Sequence, residues 1–157
     1  MGVISDTHCS GIGDLPPELV EGLTHVDLIV HVGDYTGKKL VDDLQGLGEF
    51  RGVYGNMDPP AVRTILPEKE VVEVGGKRIG LVHGWGAAAG LQKRALGCFS
   101  NVDAVLYGHS HTASSEVIDG VLVFNPGSAS GRFPAARKTY GVLLVDEAIE
   151  GKIVTIG

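Results

Sequence analysis

Short apolar runs separated by glycine and polar residues set the rhythm of this chain. Residues 2–5 form an apolar start that predicts a strand. Pro16-Pro17 followed by Glu18, Leu19, Val20 and Leu23 predicts a helix with proline in its first turn. Residues 27–32 (Asp-Leu-Ile-Val-His-Val) predict a strand of the buried type, and residues 50–54 predict another strand. Between them, Leu40, Val41, Leu44 and Leu47 recur at helical spacing and stop at Gly48, so residues 38–47 are predicted as a helix.

After this βαβαβ opening, which implies a parallel sheet under covering helices, the pattern changes. Runs at 70–74 and 78–82 flank Gly75-Gly76-Lys77, a hairpin signal. A helix is expected over 87–99 and a strand over 103–107. Val117-Ile118 and 121–124 bracket Asp119-Gly120 as a second hairpin, and 140–145 with 153–156 make a third antiparallel pair. A parallel beginning and an antiparallel end predict an α/β fold of two mixed sheets packed face to face, with helices outside. No repeat, low-complexity tract or linker interrupts the pattern, so residues 1–157 are expected to form a single domain.

The residues at the carboxyl end of each predicted strand carry the chemistry. These ends read Asp6-Thr7-His8, His31-Val32-Gly33-Asp34, Gly55-Asn56-Met57-Asp58, His83-Gly84 and Gly108-His109-Ser110-His111. The carboxyl edge of strands is where ligands bind in open α/β sheets. Two carboxylates (Asp6, Asp34), one amide oxygen (Asn56) and four imidazoles (His8, His83, His109, His111) therefore gather at one edge. Mixed oxygen and nitrogen donors suit Mn, Fe, Zn, Ni or Co without any thiolate. Seven donors exceed one tetrahedral site and fit two adjacent ions if a carboxylate bridges them. Ions roughly 3.5–4 Å apart can clamp the attacking and leaving oxygens of a phosphoryl displacement.

Composition narrows the partners. Hydrophobic residues make up 43% and charged residues 20%, as in globular proteins, and the formal net charge is −6. An acidic chain without a basic block is a poor binder of nucleic acid or of anionic membranes, so a phosphate would need a metal to meet it. Cys9 and Cys98 make neither a disulfide framework nor a Cys-x-x-Cys pair. No apolar run approaches transmembrane length and the chain opens without a signal-like core, so a cytoplasmic protein is expected.

The ordered set Asp6-Thr7-His8, Gly33-Asp34, Gly55-Asn56, His83-Gly84 and Gly108-His109-Ser110-His111, extended by Asn125-Pro126-Gly127-Ser128, resembles the calcineurin-like metallophosphoesterase superfamily. The last tetrapeptide is similar to its compact bacterial and archaeal phosphodiesterase branch. The resemblance implies a four-layer α/β/β/α sandwich with a dinuclear site between the sheets. It implies that Asp6, His8 and His111 hold one metal, that Asn56, His83 and His109 hold the second, and that Asp34 bridges. Asp34, Asn56 and His83 are expected to carry catalysis as well. The expected activity is that of a phosphoric diester hydrolase: a hydroxide activated by two divalent ions, manganese first among the candidates, attacks a small phosphodiester.

One position departs from the pattern. Many members have Gly-Asn-His followed by an acidic residue, whereas Met57 stands at the histidine position here and Asp58 at the acidic one. The rival function is a protein-interaction scaffold with the same fold, resembling the retromer subunit; a nuclease is disfavoured by the acidic charge, and a homodimer is left open. Arg132, Arg137 and Lys138 stand as candidates to meet substrate phosphate. His25 and His31 are expected to be structural, Cys9 a small buried residue, and Trp85 part of the core.

Overall fold

The structure, a computed structural model, describes all of Met1–Gly157. In chain order the elements are β1 (Gly2–Ile4), α1 (Pro17–Thr24), β2 (Ile29–His31), α2 (Lys38–Leu47), β3 (Phe50–Gly52), α3 (Pro60–Arg63), β4 (Lys69–Val74) and β5 (Lys77–Val82). They continue as α4 (Leu91–Leu96), β6 (Ala104–Leu106), β7 (Ser114–Ile118), β8 (Val121–Asn125), β9 (Thr139–Val145) and β10 (Ile149–Thr155). Two five-stranded sheets result, ordered β10-β9-β1-β2-β3 and β4-β5-β6-β8-β7. In the first, β1, β2 and β3 are parallel and β9 and β10 are antiparallel. In the second, β5, β6 and β8 are parallel, with β4 and β7 antiparallel at the edges.

Alternation along the central strands accounts for the layering. Val3 and Val30 face the core between the sheets, together with Ile79, Leu81, Leu106 and Phe124 from the opposite sheet. Their neighbours Ile4 and Ile29 face outward onto Leu19 and Leu23 of α1 and Leu40 and Leu44 of α2. On the other side, Val82, Val105 and Val123 meet Leu91 and Ala95 of α4. Strands buried on both faces read as unbroken apolar runs for this reason. The layer order is helix, sheet, sheet, helix. Where the sheets meet β9 and β10, the Phe124 ring fills the space that a side chain at Gly141 would need, so glycine there sets how closely the sheets approach.

Several expectations needed correction. The helix expected over 87–99 is only α4, Leu91–Leu96. Ala87 to Ala89 are instead loop, and Gly90 turns left-handed (φ 75°) to start the helix. The apolar spacing through 87–99 resembled a helix, but the Arg94 guanidinium holds the loop carbonyls that a longer helix would have consumed. The single turn α3 went unpredicted, although Pro59-Pro60 starts it. The last strand begins at Ile149 rather than 153, because seven registered pairs with β9 override its polar residues.

Candidate metal centre

The functional edge is built from unusual backbone. Asp6, His8, Asp34, His109 and His111 all adopt positive φ (50°, 47°, 63°, 70° and 58°), and they make up five of the eight non-glycine residues that do. L-residues rarely take this conformation, and such strain gathers at functional sites. Here it is held by cross-strand bonds: Asp6 N donates to Gly33 O (3.0 Å) and His8 N to Asp34 O (2.9 Å). The Asp58 carboxylate, 4% exposed, accepts from the backbone N–H groups of Asp34 (2.9 Å), Tyr35 (2.7 Å), Thr36 (3.0 Å) and Gly55 (2.7 Å). A Cβ at Gly55 would collide with the Asp34 side chain, so the two loops can close only with glycine there.

All seven predicted donors converge. Asp6, His8, Asp34 and His111 offer ligand atoms that lie within 4.8 Å of one another. His8 Nε2 and His111 Nε2 are 3.2 Å apart, and Asp6 Oδ1 is 3.3 Å from His111 Nε2. On the other side of Asp34, Asn56 Oδ1 lies 3.1 Å from His83 Nε2 and 3.2 Å from His109 Nδ1. Asp34 stands between the groups: its Oδ2 is 3.4 Å from His83 Nε2 and 3.9 Å from His8 Nε2, and its Oδ1 accepts from Met57 N (2.9 Å).

Backbone carbonyls orient three of the imidazoles. His83 Nδ1 donates to Val32 O (2.7 Å), His109 Nε2 to Gly86 O (2.9 Å) and His111 Nδ1 to Arg132 O (3.1 Å). Each outer nitrogen thus carries the proton in the neutral ring, and the inner nitrogen turns a lone pair to the centre. Lone pairs then face carboxylate or amide oxygens, or one another. Nothing in the neutral protein relieves this except protonation or a cation.

The electrostatics bear the mark of that conflict. Burial pushes His83 down, but the nearby Asp34 and Asp6 carboxylates outweigh it and raise the ring above its ordinary value. The Asp6 carboxylate likewise raises His111, whereas burial dominates at His8 and lowers it. Asp34 is lowered despite its burial, chiefly by His83 and the Met57 N–H. Asp6 is fully buried; its Oδ2 accepts from Ser5 Oγ (2.8 Å) and His109 N (3.1 Å), while Oδ1 takes no well-aligned hydrogen bond. A buried carboxylate oxygen without a partner, facing imidazole lone pairs, fits a divalent cation.

The mouth of the centre is formed by His8, Asp34, Asn56, His109 and His111 together with Met57, Arg132 and Phe133. Arg137 and Lys138 are exposed and stand outside this lining. Cys9 is buried, His25 binds Glu21 O at the end of α1, and His31 is fully buried. Trp85 departs from expectation: it is 50% exposed and lines a cleft beside Asn56 and His83 instead of packing in the core. Both oxygens of Asp58 are committed to backbone N–H groups. Sequence reasoning missed this clamp, and it missed the chain from His31 Nε2 through Thr7 Oγ1 (3.0 Å) to Asp34 O (3.3 Å). The available signal was the Asp two residues after Asn56.

Comparisons with known proteins agree with this architecture. A profile described as the calcineurin-like phosphoesterase superfamily domain matches residues 1–148. A probable metallophosphoesterase of Methanocaldococcus jannaschii is 36% identical over 99% of this chain and 81% of its own length. A phosphodiesterase of the same organism is 25% identical over 91% of both chains. Among solved structures, a Vps29 variant from Entamoeba histolytica superposes with a TM-score of 0.76 at 24% identity, covering 99% of this chain and 98% of that one.

Proposed function

Because the chain belongs to the calcineurin-like phosphoesterase superfamily, a family of metal-dependent hydrolases, we propose that it is a phosphodiesterase of one domain, residues 1–157, working with two neighbouring divalent ions. The observation that carries this reading is the Asp34 carboxylate, whose Oδ2 faces His8 on one side and His83 on the other. In it Asp6, His8 and His111 would hold one ion, Asn56, His83 and His109 would hold the other, and Asp34 would serve both. Manganese is the first choice for this oxygen and nitrogen donor set. Ions bound there supply an activated water and neutralise charge on the phosphoryl group.

The chain's own residues do the rest. Val32, Gly86 and Arg132 carbonyls keep three rings aimed inward, and the Met57 N–H holds Asp34 in place. Arg132 is the one basic side chain at the mouth outside the donor set, suited to a single non-bridging phosphoryl oxygen. That favours a diester over a more highly charged monoester, and similarity to a protein named a phosphodiesterase supports the same choice. The Met57 thioether is 60% exposed at the mouth and donates no proton, and Asp58 is fully engaged by backbone. Leaving-group departure therefore goes without a dedicated acid, a loss of ~10²–10⁴-fold that falls hardest on poor leaving groups.

The test is turnover by manganese-loaded protein of bis(p-nitrophenyl) phosphate, p-nitrophenyl phosphate and aryl methyl diesters of graded leaving-group pKa. Diesters should react faster, with a steep dependence on leaving-group pKa, and Asp34→Ala should lower kcat/KM by roughly 10³-fold or more. A shallow dependence means that another residue supplies the proton. Inactivity with every divalent metal moves the reading to the scaffold.

A further inference from the structure

We infer that the cleft beside Asn56 and His83 seats a planar, hydrogen-bonding aromatic group of the substrate, which makes the preferred substrate a nucleoside-type phosphodiester; this rests on the phosphodiesterase reading above.

The cleft encloses about 230 Å³, with Asn56 and His83 in its lining, so a group seated there is continuous with the donor edge. Trp85 and Tyr54 supply aromatic surface, and Arg63 and Glu68 supply polar groups. A half-exposed tryptophan is ordinary on a mobile loop. This loop is tied down. Arg94 donates from Nε to Trp85 O (3.1 Å), from Nη1 to Ala89 O (3.0 Å) and from Nη2 to Ala87 O, while Gly86 O takes His109 Nε2. Four carbonyls within five residues are thus engaged, and the chain is ordered in a shape that leaves the indole in solvent. Ordering of that kind lowers the entropy lost when a flat group stacks on it.

The facing side is equally fixed. The Arg63 guanidinium lies 5.2 Å from the Tyr54 ring centroid and donates from Nε to Asp58 O (2.8 Å) and from Nη2 to Asn56 O (2.8 Å). Its Nη1 has no protein partner, and Glu68 offers acceptors in the same cleft. An immobilised donor, a carboxylate acceptor and an exposed aromatic surface match a nucleobase, which presents donors and acceptors in its plane and π-faces above and below it. An alkyl ester uses none of these groups. A second phosphate would meet Arg63 but also the Glu68 charge.

Trp85 is the only tryptophan, so its emission reports on the cleft alone. Manganese-loaded protein is titrated with adenosine, guanosine and cytidine 5′-monophosphates and with ribose 5-phosphate, and turnover of bis(p-nitrophenyl) phosphate is measured on the same sample. At least one nucleotide should change the emission saturably while ribose 5-phosphate does not, and Arg63→Met should weaken that response roughly fivefold or more. Trp85→Leu should raise KM for a nucleoside p-nitrophenyl phosphodiester about tenfold. No response to any nucleotide, or an equal response to ribose 5-phosphate, overturns the inference. Turnover without a nucleotide response removes the cleft assignment and leaves the phosphodiesterase standing. A nucleotide response without turnover under any divalent metal supports the cleft and removes the phosphodiesterase.

Discussion

Asp6, His8 and His111 on one side of Asp34, and Asn56, His83 and His109 on the other, present equal numbers of donors with different charge and cover. The first group contains a fully buried carboxylate with one unpartnered oxygen. The second contains no charge of its own; its amide, Asn56, is exposed and opens onto the Trp85 cleft. Charge and burial give the first group the stronger pull on a cation and the higher cost without one. Neutral donors and an open side suit the second to an ion that exchanges and to contact with substrate. Two groups of donors that look equivalent in number are thus unequal in the fold.

The sharpest way to break this comparison is to change one donor on each side. In calorimetric titrations of metal-free protein with manganese, two unequal binding events are expected. Asp6→Asn should weaken the tighter event by about 100-fold, and Asn56→Ala should weaken only the looser one, by about tenfold. Two identical sites, or equal effects of both substitutions on both events, would refute the asymmetry.

Asp58 provides a smaller perturbation aimed at one side. Its carboxylate grips the Asp34 and Gly55 N–H groups, and so positions Asp34 and the strand end that carries Asn56. Asn at this position turns an amide NH₂ toward backbone donors. Asp58→Asn should cost about 2–3 kcal/mol in urea unfolding with chelator present. It should also loosen the weaker metal event more than the tighter one, and unchanged stability would show that the clamp contributes nothing.

His31 probes the floor beneath Asp34 through pH. Burial holds this imidazole well below 6.5, so the native ring stays neutral where the unfolded chain takes up a proton. Below pH 6.5 the unfolded state binds more protons. Stability therefore falls as pH drops, by up to ~1.4 kcal/mol per pH unit, until the native ring itself protonates. His31→Gln keeps an N–H donor for the Thr7 hydroxyl and should flatten this part of the slope between pH 7.5 and 5.5 in chelator. An unchanged slope would assign the acid sensitivity to the other imidazoles.

Much of this arrangement was legible in the sequence, for a specific reason. Leu28 to Val30 and Ala104 to Leu106 are apolar on both faces of their strands, and Asp34 and His109 follow within a few residues, each preceded by a glycine, so strand position and donor position were read from the same letters. Trp85 and Ala87 to Ala89 were misread because nothing local distinguishes a helical apolar spacing from a loop whose carbonyls are taken by Arg94 and which packs beside His109. The Asp58 clamp was not legible because its four partners lie on two different loops.

Local sequence alone determined the order of the strands and of α1, α2 and α4, the double-faced burial of the central strands and the seven donors at their ends, since hydrophobic period and strand termini are short-range properties. Which nitrogen of each ring faces inward, how the Asp34 carboxylate is held between the two groups, which oxygen of Asp6 is left without a partner and which aromatic stays in solvent were decided only by tertiary structure. Each depends on a carbonyl, an N–H or a side chain brought in from elsewhere in the chain: Val32 for His83, Met57 for Asp34, and Arg94 for the loop that carries Trp85.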